Sequence, residues 1–160
     1  MVILENDHIA RTIKRMSLQI IEEAKGNQLL LCGLNIRGFA VATMLSEFLN
    51  KSGATDHLLR QIDADNNSPF TIPDNLNSNG VIVLIDDVVF SGLTIYRAMQ
   101  KIPELTSYHK TLVAALVDRG HRRIPIHVQI KGTDAPTKLN EHIEVILKND
   151  RPYQVVLNKK

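Results

Sequence analysis

The chain lacks most of the features that would place it quickly. It holds one cysteine, Cys32, so no internal disulfide can form. Inside the apolar stretch "LLLCG" that thiol reads as a buried strand residue in a reducing compartment rather than as a nucleophile. The formal net charge is only +2, too little to imply a nucleic-acid partner from bulk charge, although a local basic patch stays compatible with one. No apolar run approaches the roughly 20 residues of a membrane span. The opening "MVILENDHIAR" becomes charged before a signal-peptide core develops, so a cytoplasmic protein is expected. There is no internal repeat, and no GxGxxG fingerprint of a dinucleotide fold. Five of the histidines, His8, His57, His109, His127 and His142, show no metal-ligand spacing.

What is present suits one globular domain spanning residues 1–160, with 44% hydrophobic and 22% charged residues. Asn6 or Asp7 can cap a first helix in which Ile9, Ile13, Met16 and Ile20 recur at helical spacing, and Gly26 ends it. "QLLLC" reads as a buried strand and "GLNIRG" as the turn after it. A second helix is expected from Phe39 to Asn50, closed by Ser52-Gly53. "HLLRQID" reads as a strand and residues 64–80 as a polar loop. "VIVLID" is a buried strand leading to a helix over Gly92 to Ile102, and "TLVAALVD" is another buried strand. "IHVQIKG", "HIEVIL" and "YQVVL" are short extended segments. Apolar strands alternating with amphipathic helices predict an α/β fold with a parallel sheet covered on both faces.

Ligands of such sheets bind beyond the carboxyl ends of the strands, where "GLNIRG", "DDVVFSGLT" and "VDRGHRR" fall. Gly33 and Gly38 have the glycine spacing of an ATP-binding phosphate loop, but Phe39 and Ala40 stand where Lys and Ser/Thr are required. The stretch is either an anion-binding helix start with Arg37 beside it, or a tight turn with Arg37 solvated. Asp86 and Asp87 follow a fully apolar strand, and Ser91-Gly92-Leu93-Thr94 opens a helix. Backbone N–H groups and two hydroxyls there suit a phosphate monoester, with the carboxylates placed for vicinal hydroxyls or hydrated Mg²⁺. Alternatively, Asp86 orients the turn and Asp87 faces solvent. A receiver-type phosphoacceptor site would instead carry its acidic pair near the first strand.

"VIVLIDDVVFSGLT" resembles the phosphoribosyl pyrophosphate (PRPP) motif of type I phosphoribosyltransferases. "LVDRGHRRIPIHVQIKGTDAPT", "ILENDHIARTIKRMSLQIIEEAKG" and "GLNIRG" are similar to stretches of the pyrimidine-operon attenuator and uracil phosphoribosyltransferase (PyrR-like) family. That resemblance implies a mainly parallel sheet flanked by helices, with a small C-terminal hood. It implies that Asp86 and Asp87 take the ribose hydroxyls, directly or through Mg²⁺, and that Val88, Val89 and Phe90 continue the motif. Ser91, Gly92, Leu93 and Thr94 would hold the 5-phosphate. Asn35, Ile36, Arg37 and Gly38 would form the pyrophosphate loop, often a place for a strained non-proline cis peptide in this family. The stretch from Val117, Asp118 and Arg119 to Arg122 would shape the base pocket. Asp86, Asp87 and Arg37 would be the catalytic groups, with Mg²⁺ as cofactor and a homodimer as the assembly.

The pattern departs from the family in three places. Asn35 and Ile36 replace a Lys and a Thr, removing a cation and a hydroxyl. Leu93 replaces a position that is often Arg, Lys or Gly. The segment before "VIVLIDD" is too short for the long flexible hairpin that closes over PRPP in the family, a closure that normally protects the reaction from water. Lys14, Leu18 and Glu23 stand where the family's regulators contact RNA; Leu18 donates no hydrogen bond and Glu23 repels phosphate. His121, Arg122, Arg123 and Lys131 are the remaining candidates for a basic face, against a solvated surface with Arg119 in a local ion pair. Two functions are thus expected: a transferase joining a nucleobase, uracil by resemblance, to PRPP in pyrimidine salvage, or a weakly catalytic or non-catalytic PRPP- or nucleotide-sensing regulator that binds RNA.

Overall fold

Three buried apolar stretches, "LLLCGL", "VIVLI" and "LVAALV", set the frame, because a strand that is apolar at every position must be covered on both faces. A computed structural model of the chain describes all residues 1–160. Strands β2 (Leu29–Leu34), β3 (His57–Ile62), β4 (Val81–Val89), β5 (Lys110–Asp118) and β6 (Ile130–Asp134) form one sheet in the order β3-β2-β4-β5-β6. All four pairings are parallel. The order reverses between β2 and β4, which makes the crevice above those two strands the place where an open sheet accepts a ligand.

Period-two alternation sends the sheet's side chains into two separate cores. Leu29, Leu31, Val83, Ile85 and Leu112 face helices α1 (Asn6–Ala24) and α2 (Asn35–Ser52). Leu30, Cys32, Ile82, Leu84 and Val113 face helix α3 (Leu93–Lys101) through Ile95 and Ala98. In α1 the expected stripe Ile9, Ile13, Met16 and Ile20 is fully buried. Its cap differs from expectation: Glu5 precedes the helix without a side-chain cap, and Asn6 and Asp7 lie in the first turn, where Asp7 complements the helix dipole. Lys25 and Gly26, both at positive φ, stop the helix.

Three further differences have physical causes. Helix α2 starts at Asn35 rather than Phe39, because the turn reading of "GLNIRG" rested on Gly38, which this helix needs for close packing. A Cβ at Gly38 would lie 2.6 Å from the carbonyl oxygen of Ile85 on β4. Strand β6 begins only at Ile130; the preceding Ile126 and Val128 pack under α3 without ladder pairing. Strand β1 (Val2–Leu4), unsuspected in the sequence, pairs antiparallel with β8 (Arg151–Lys159), which forms a hairpin with β7 (Glu141–Lys148). Asn149 and Asp150, at φ 52° and 59°, make the tight turn of that hairpin. This three-stranded hood shares the α1/α2 core through Ile143, Val145 and Val155, and its β7 edge therefore sits over the carboxyl ends of β2 and β4. No helix is long and apolar enough to cross a membrane.

Burial pushes the Cys32 thiol up to about 12, with Arg60 only partly opposing it. A disulfide-exchange reagent at pH 8 is therefore expected to leave the native thiol unmodified over hours and to label it at once in denaturant. Rapid labelling of the folded chain would show that Cys32 is open to solvent.

Candidate active site

The site begins where β2 ends. Asn35 takes a left-handed conformation, φ 57°, one that asparagine tolerates better than most residues. Its amide is spent on the neighbouring loop: Oδ1 accepts the N–H of Ala64 at 2.9 Å and Nδ2 donates to Asp65 at 3.0 Å. Every peptide bond is trans, so the cis peptide expected by resemblance is absent, and the positive φ of Asn35 is the backbone irregularity at this turn. Ile36 is exposed to solvent. Arg37 reaches the hood, donating from Nε to the Val145 carbonyl at 3.1 Å and lying 3.4 Å from Glu144. Gly38 lets this first helical turn rest on β4 beside Asp86.

Strand β4 does not stop at the acidic pair. It runs to Val89, with Asp86 opposite Ala115 and Val88 opposite Val117 on β5. Asp86 is thereby 6% exposed, and one carboxylate oxygen accepts the N–H of Asp87 at 3.0 Å. Its carboxyl is held well above the usual 3.8, first by burial and then by the charge of Asp87. Asp87 is only half-buried. Burial and the neighbouring Asp87 thus both favour a proton on the inner carboxyl.

After β4 the chain turns through Phe90–Gly92. Gly92 sits at φ 87°, and a Cβ there would meet Ile126 at 2.9 Å. Ser91 Oγ accepts the N–H of Leu93 at 3.2 Å, and its carbonyl accepts the N–H of Arg123 at 2.9 Å. A pocket of about 180 Å³ opens here between Asp86, Phe90, Ser91, Gly92 and Thr94. First-turn N–H groups of α3 have no partner within the helix, which suits this pocket to a phosphate.

The turn after β5 is knitted by Arg122, which donates to both Asp118 oxygens at 2.9 Å and to the Phe90 carbonyl at 2.9 Å. The ion pair of this stretch therefore belongs to Arg122 and not, as expected, to Arg119. Arg119 is buried; its guanidinium lies 4.1 Å over the Phe90 ring and donates to Thr137 at 2.6 Å and to the Glu141 carbonyl. Its backbone N–H bonds the Val89 carbonyl at 2.9 Å, so Val89 contributes to the frame rather than to the surface. Phe90 and Arg119 form one wall of a slot of about 440 Å³, closed by His142, Ile143, Glu144 and Val145 of the hood and bordered by Arg37, Asp87 and Val88. Val117 lies beneath it in the core.

A third cleft, about 390 Å³, is lined by Leu34, Asn35, Ile36, Arg37, Gln61, Asp63, Asp65, Asp86 and Asp87. The three spaces share walls: Asp86 borders the cradle and the cleft, and Arg37 and Asp87 border the cleft and the slot. The structure thus brings together all three expected stretches, but turns the side chain of Asn35 away toward the loop. Sequence reasoning missed Gln61, Asp63, Asp65 and the hood residues. Asp63 reads as the end of the strand "HLLRQID" and Asp65 as part of the polar loop that stands in for the family's hairpin, while the hood lies far along the chain, so no local signal ties these residues to the cleft. That segment is fastened down. Lys101 donates to the carbonyls of Asp63 and Ser68, and Arg97 pairs with Asp65 at 3.6 Å.

Outside the site, Lys14 and Leu18 are exposed on α1 while Glu23 pairs with Lys110. Of the basic stretch, Lys131 pairs with Asp134 at 2.9 Å and His121 bonds the Thr137 carbonyl. His57 bonds Ser46, and no three His, Cys, Asp or Glu side chains converge as a ready metal cage.

A cradle at a helix start, a carboxylate pair and a slot walled by an aromatic ring meet at the switch point of an open parallel sheet, the place where α/β proteins of this architecture take their ligands. The phosphoribosyl transferase domain model matches residues 2–147. "Bifunctional protein PyrR" of Thermosynechococcus vestitus is 33% identical over 91% of this chain and 86% of its own length. Its namesake in Streptomyces coelicolor is 32% identical over 97% and 87%. Among solved structures, a hypoxanthine-guanine phosphoribosyltransferase from Bacillus anthracis superposes with a TM-score of 0.73 at 16% identity, covering 99% of this chain and 98% of that one. The hypoxanthine phosphoribosyltransferase of Trypanosoma cruzi gives 0.72 at 17%, covering 99% and 95%. The chain belongs to the phosphoribosyl transferase family, in its PyrR-like branch, with the type I fold.

The buried Asp86 carboxyl has a consequence for stability. In the unfolded chain it loses its proton near pH 3.8, whereas the native chain keeps it to higher pH. Stability therefore falls as pH rises through that interval. In the ligand-free protein, Asp86→Asn should match the wild type below pH 3.8. At pH 7 it should be the more stable of the two, because the native chain no longer has to bury an ionisable carboxyl. Urea midpoints across that pH range check this; a less stable variant at pH 7 would contradict it.

Proposed function

We propose that the chain transfers the phosphoribosyl group of PRPP to a nucleobase, with uracil as the base in keeping with its PyrR-like resemblance, and releases pyrophosphate. The observation that carries this is the position of Asp86 and Asp87 between the cradle at Ser91–Thr94 and the slot walled by Phe90 and Arg119. In the reaction the bond from ribose C1 to the pyrophosphate oxygen breaks, a bond from C1 to the base nitrogen forms, and the base gives up its ring N–H proton. The side chains and backbone contribute by position and charge. Ser91, Gly92, Leu93 and Thr94 anchor the 5-phosphate, and the aspartates accept the ribose hydroxyls. Phe90 and Arg119 hold the base plane against C1, an orientation effect that reaches about 7–11 kcal/mol in favourable cases. Arg37, released from Glu144, would offset charge on the leaving pyrophosphate.

The donor set also fits Mg²⁺. That ion binds through one or two carboxylates together with substrate phosphates and water, rather than in an all-protein cage. The half-exposed Asp87, with Asp86 behind it, offers such oxygens where no three-residue cage exists. When bound it would neutralise pyrophosphate charge.

The alternative, a PRPP- or nucleotide-sensing regulator with little turnover, draws support from the fastened segment 63–68. Bonds from Lys101, Asn35 and Arg97 hold that segment against α2 and α3, where a mobile cover would have to swing. Of the cations named for an RNA face, Lys14 and Arg123 are exposed and outside any ion pair, whereas Arg122 pairs with Asp118 and Lys131 with Asp134. Dimer formation belongs to the same family-based proposal.

Pyrophosphate release measured with uracil, guanine, hypoxanthine and orotate separates the two. Turnover with uracil above the others supports the transferase. No turnover with any base, beside micromolar PRPP binding, supports the regulator, and salt-dependent capture of pyrimidine-leader RNA would strengthen it. Replacing Asp86 and Asp87 together by Asn should weaken PRPP binding more than tenfold with an unchanged circular-dichroism spectrum. Unaltered affinity would remove the ribose role.

A further inference from the structure

The cleft beside Asn35 has an unusual charge for a space meant to receive pyrophosphate. Four acidic side chains line it, Asp63, Asp65 and Asp87 together with the buried Asp86, whose proton affinity is raised, against one cation, Arg37. That cation is already engaged with Glu144 at 3.4 Å and with the Val145 carbonyl. Asn35 stands at the mouth of the cleft, uncharged, with both ends of its amide used. Asp63 and Asp65 are the two with no part in the ribose or cradle geometry, and of these Asp65 is the one whose carboxylate is held by both flanking helices. Asn35 Nδ2 holds it at 3.0 Å, Arg97 at 3.6 Å, and the flanking backbone is tied by the Ala64 N–H and by Lys101. Its pair with Arg97 is more than half-exposed on both sides, so it leaves much of the negative potential standing.

We propose that Asp65 is a selectivity residue: it disfavours ligands that place a pyrophosphate in the Asn35–Gly38 cleft and biases the site toward nucleoside 5′-monophosphates. This rests on the phosphoribosyl reading of the site above. A monophosphate fills the Ser91–Thr94 cradle and a base fills the Phe90–Arg119 slot without entering the cleft. PRPP must put its most highly charged group there. The bias therefore acts on one ligand and spares the other, and it follows from a single side chain that the neighbouring helices prevent from swinging aside.

Calorimetric titration of the full chain at fixed Mg²⁺ tests this, with inorganic pyrophosphate, PRPP and uridine 5′-monophosphate as probes. Asp65→Asn, which keeps an acceptor for Asn35, should tighten pyrophosphate and PRPP about tenfold, as removal of one nearby charge from a partly wet cleft predicts. Affinity for the monophosphate should change less than twofold. Arg97→Gln should move pyrophosphate and PRPP the opposite way, and Glu22→Gln, exposed on α1, should move none of them. An equal shift for all three ligands in Asp65→Asn, or no shift, overturns the proposal. Wild-type chain that binds neither PRPP nor the monophosphate overturns the phosphoribosyl reading instead, while the pyrophosphate arm still reports on Asp65.

Discussion

A carboxyl group buried in the middle strand of a parallel sheet is the constraint around which the rest of this molecule is arranged. Asp86 continues the apolar run of β4 and is paired with β5 like any core residue. Such a group is tolerated only when protonated, hydrogen-bonded or matched by a ligand. The free protein uses the first two means, through the raised proton affinity of Asp86 and the N–H of Asp87. The close approach of α2 is part of the same solution. Gly38 brings the helix start onto β4, so the positive end of the helix lies beside the two aspartates.

The hood and the sheet meet at the same point for a packing reason. Strands β7 and β8 have no core of their own and bury Ile143, Val145 and Val155 against the α1/α2 face. Docking that face brings the β7 backbone within reach of Arg37, and the segment leading into β7 within reach of Arg119. Two arginines therefore become struts between sheet and hood as well as walls of the ligand slot. Phe90 is held from three sides, by Arg119 above its ring, His121 at its edge and Arg122 on its carbonyl. A slot built this way is preformed, and orientation of a planar ring in it needs little rearrangement.

The segment after β3 is where this chain parts from the expected working cycle. Its buried anchor Ala64 joins the α3 core beside Ile62 at the end of β3, and Phe70, Ile72 and Leu76 pack against the same core. Lys101 then spends its charge on carbonyls of that segment. A loop with an apolar underside and a cation bonded through it is a wall. Binding of phosphorylated ligands stays compatible with such a wall, while exclusion of water by closure has no evident agent.

The local pattern of the chain determined the main strands, the α1 stripe, the parallel α/β class and the helix start at Ser91–Thr94. Each of these follows from hydrophobic period, chain punctuation or residue chemistry within about ten neighbours. It also singled out Asp86 and Asp87, which the structure puts on the shared walls of the three clefts. Only the tertiary structure decided what surrounds them. The burial of Asp86 depends on β5 pairing beyond the acidic pair, and the start of α2 at Asn35 depends on Gly38 meeting β4. The exchange of ion-pair partner from Arg119 to Arg122 depends on the hood, whose residues lie some twenty positions away or more along the chain. The acidic lining at Asp63 and Asp65 depends on a loop folding back onto two helices. Those contacts join segments distant in sequence, and a one-dimensional pattern carries no record of them because hydrogen bonds and burial are set by neighbours in space.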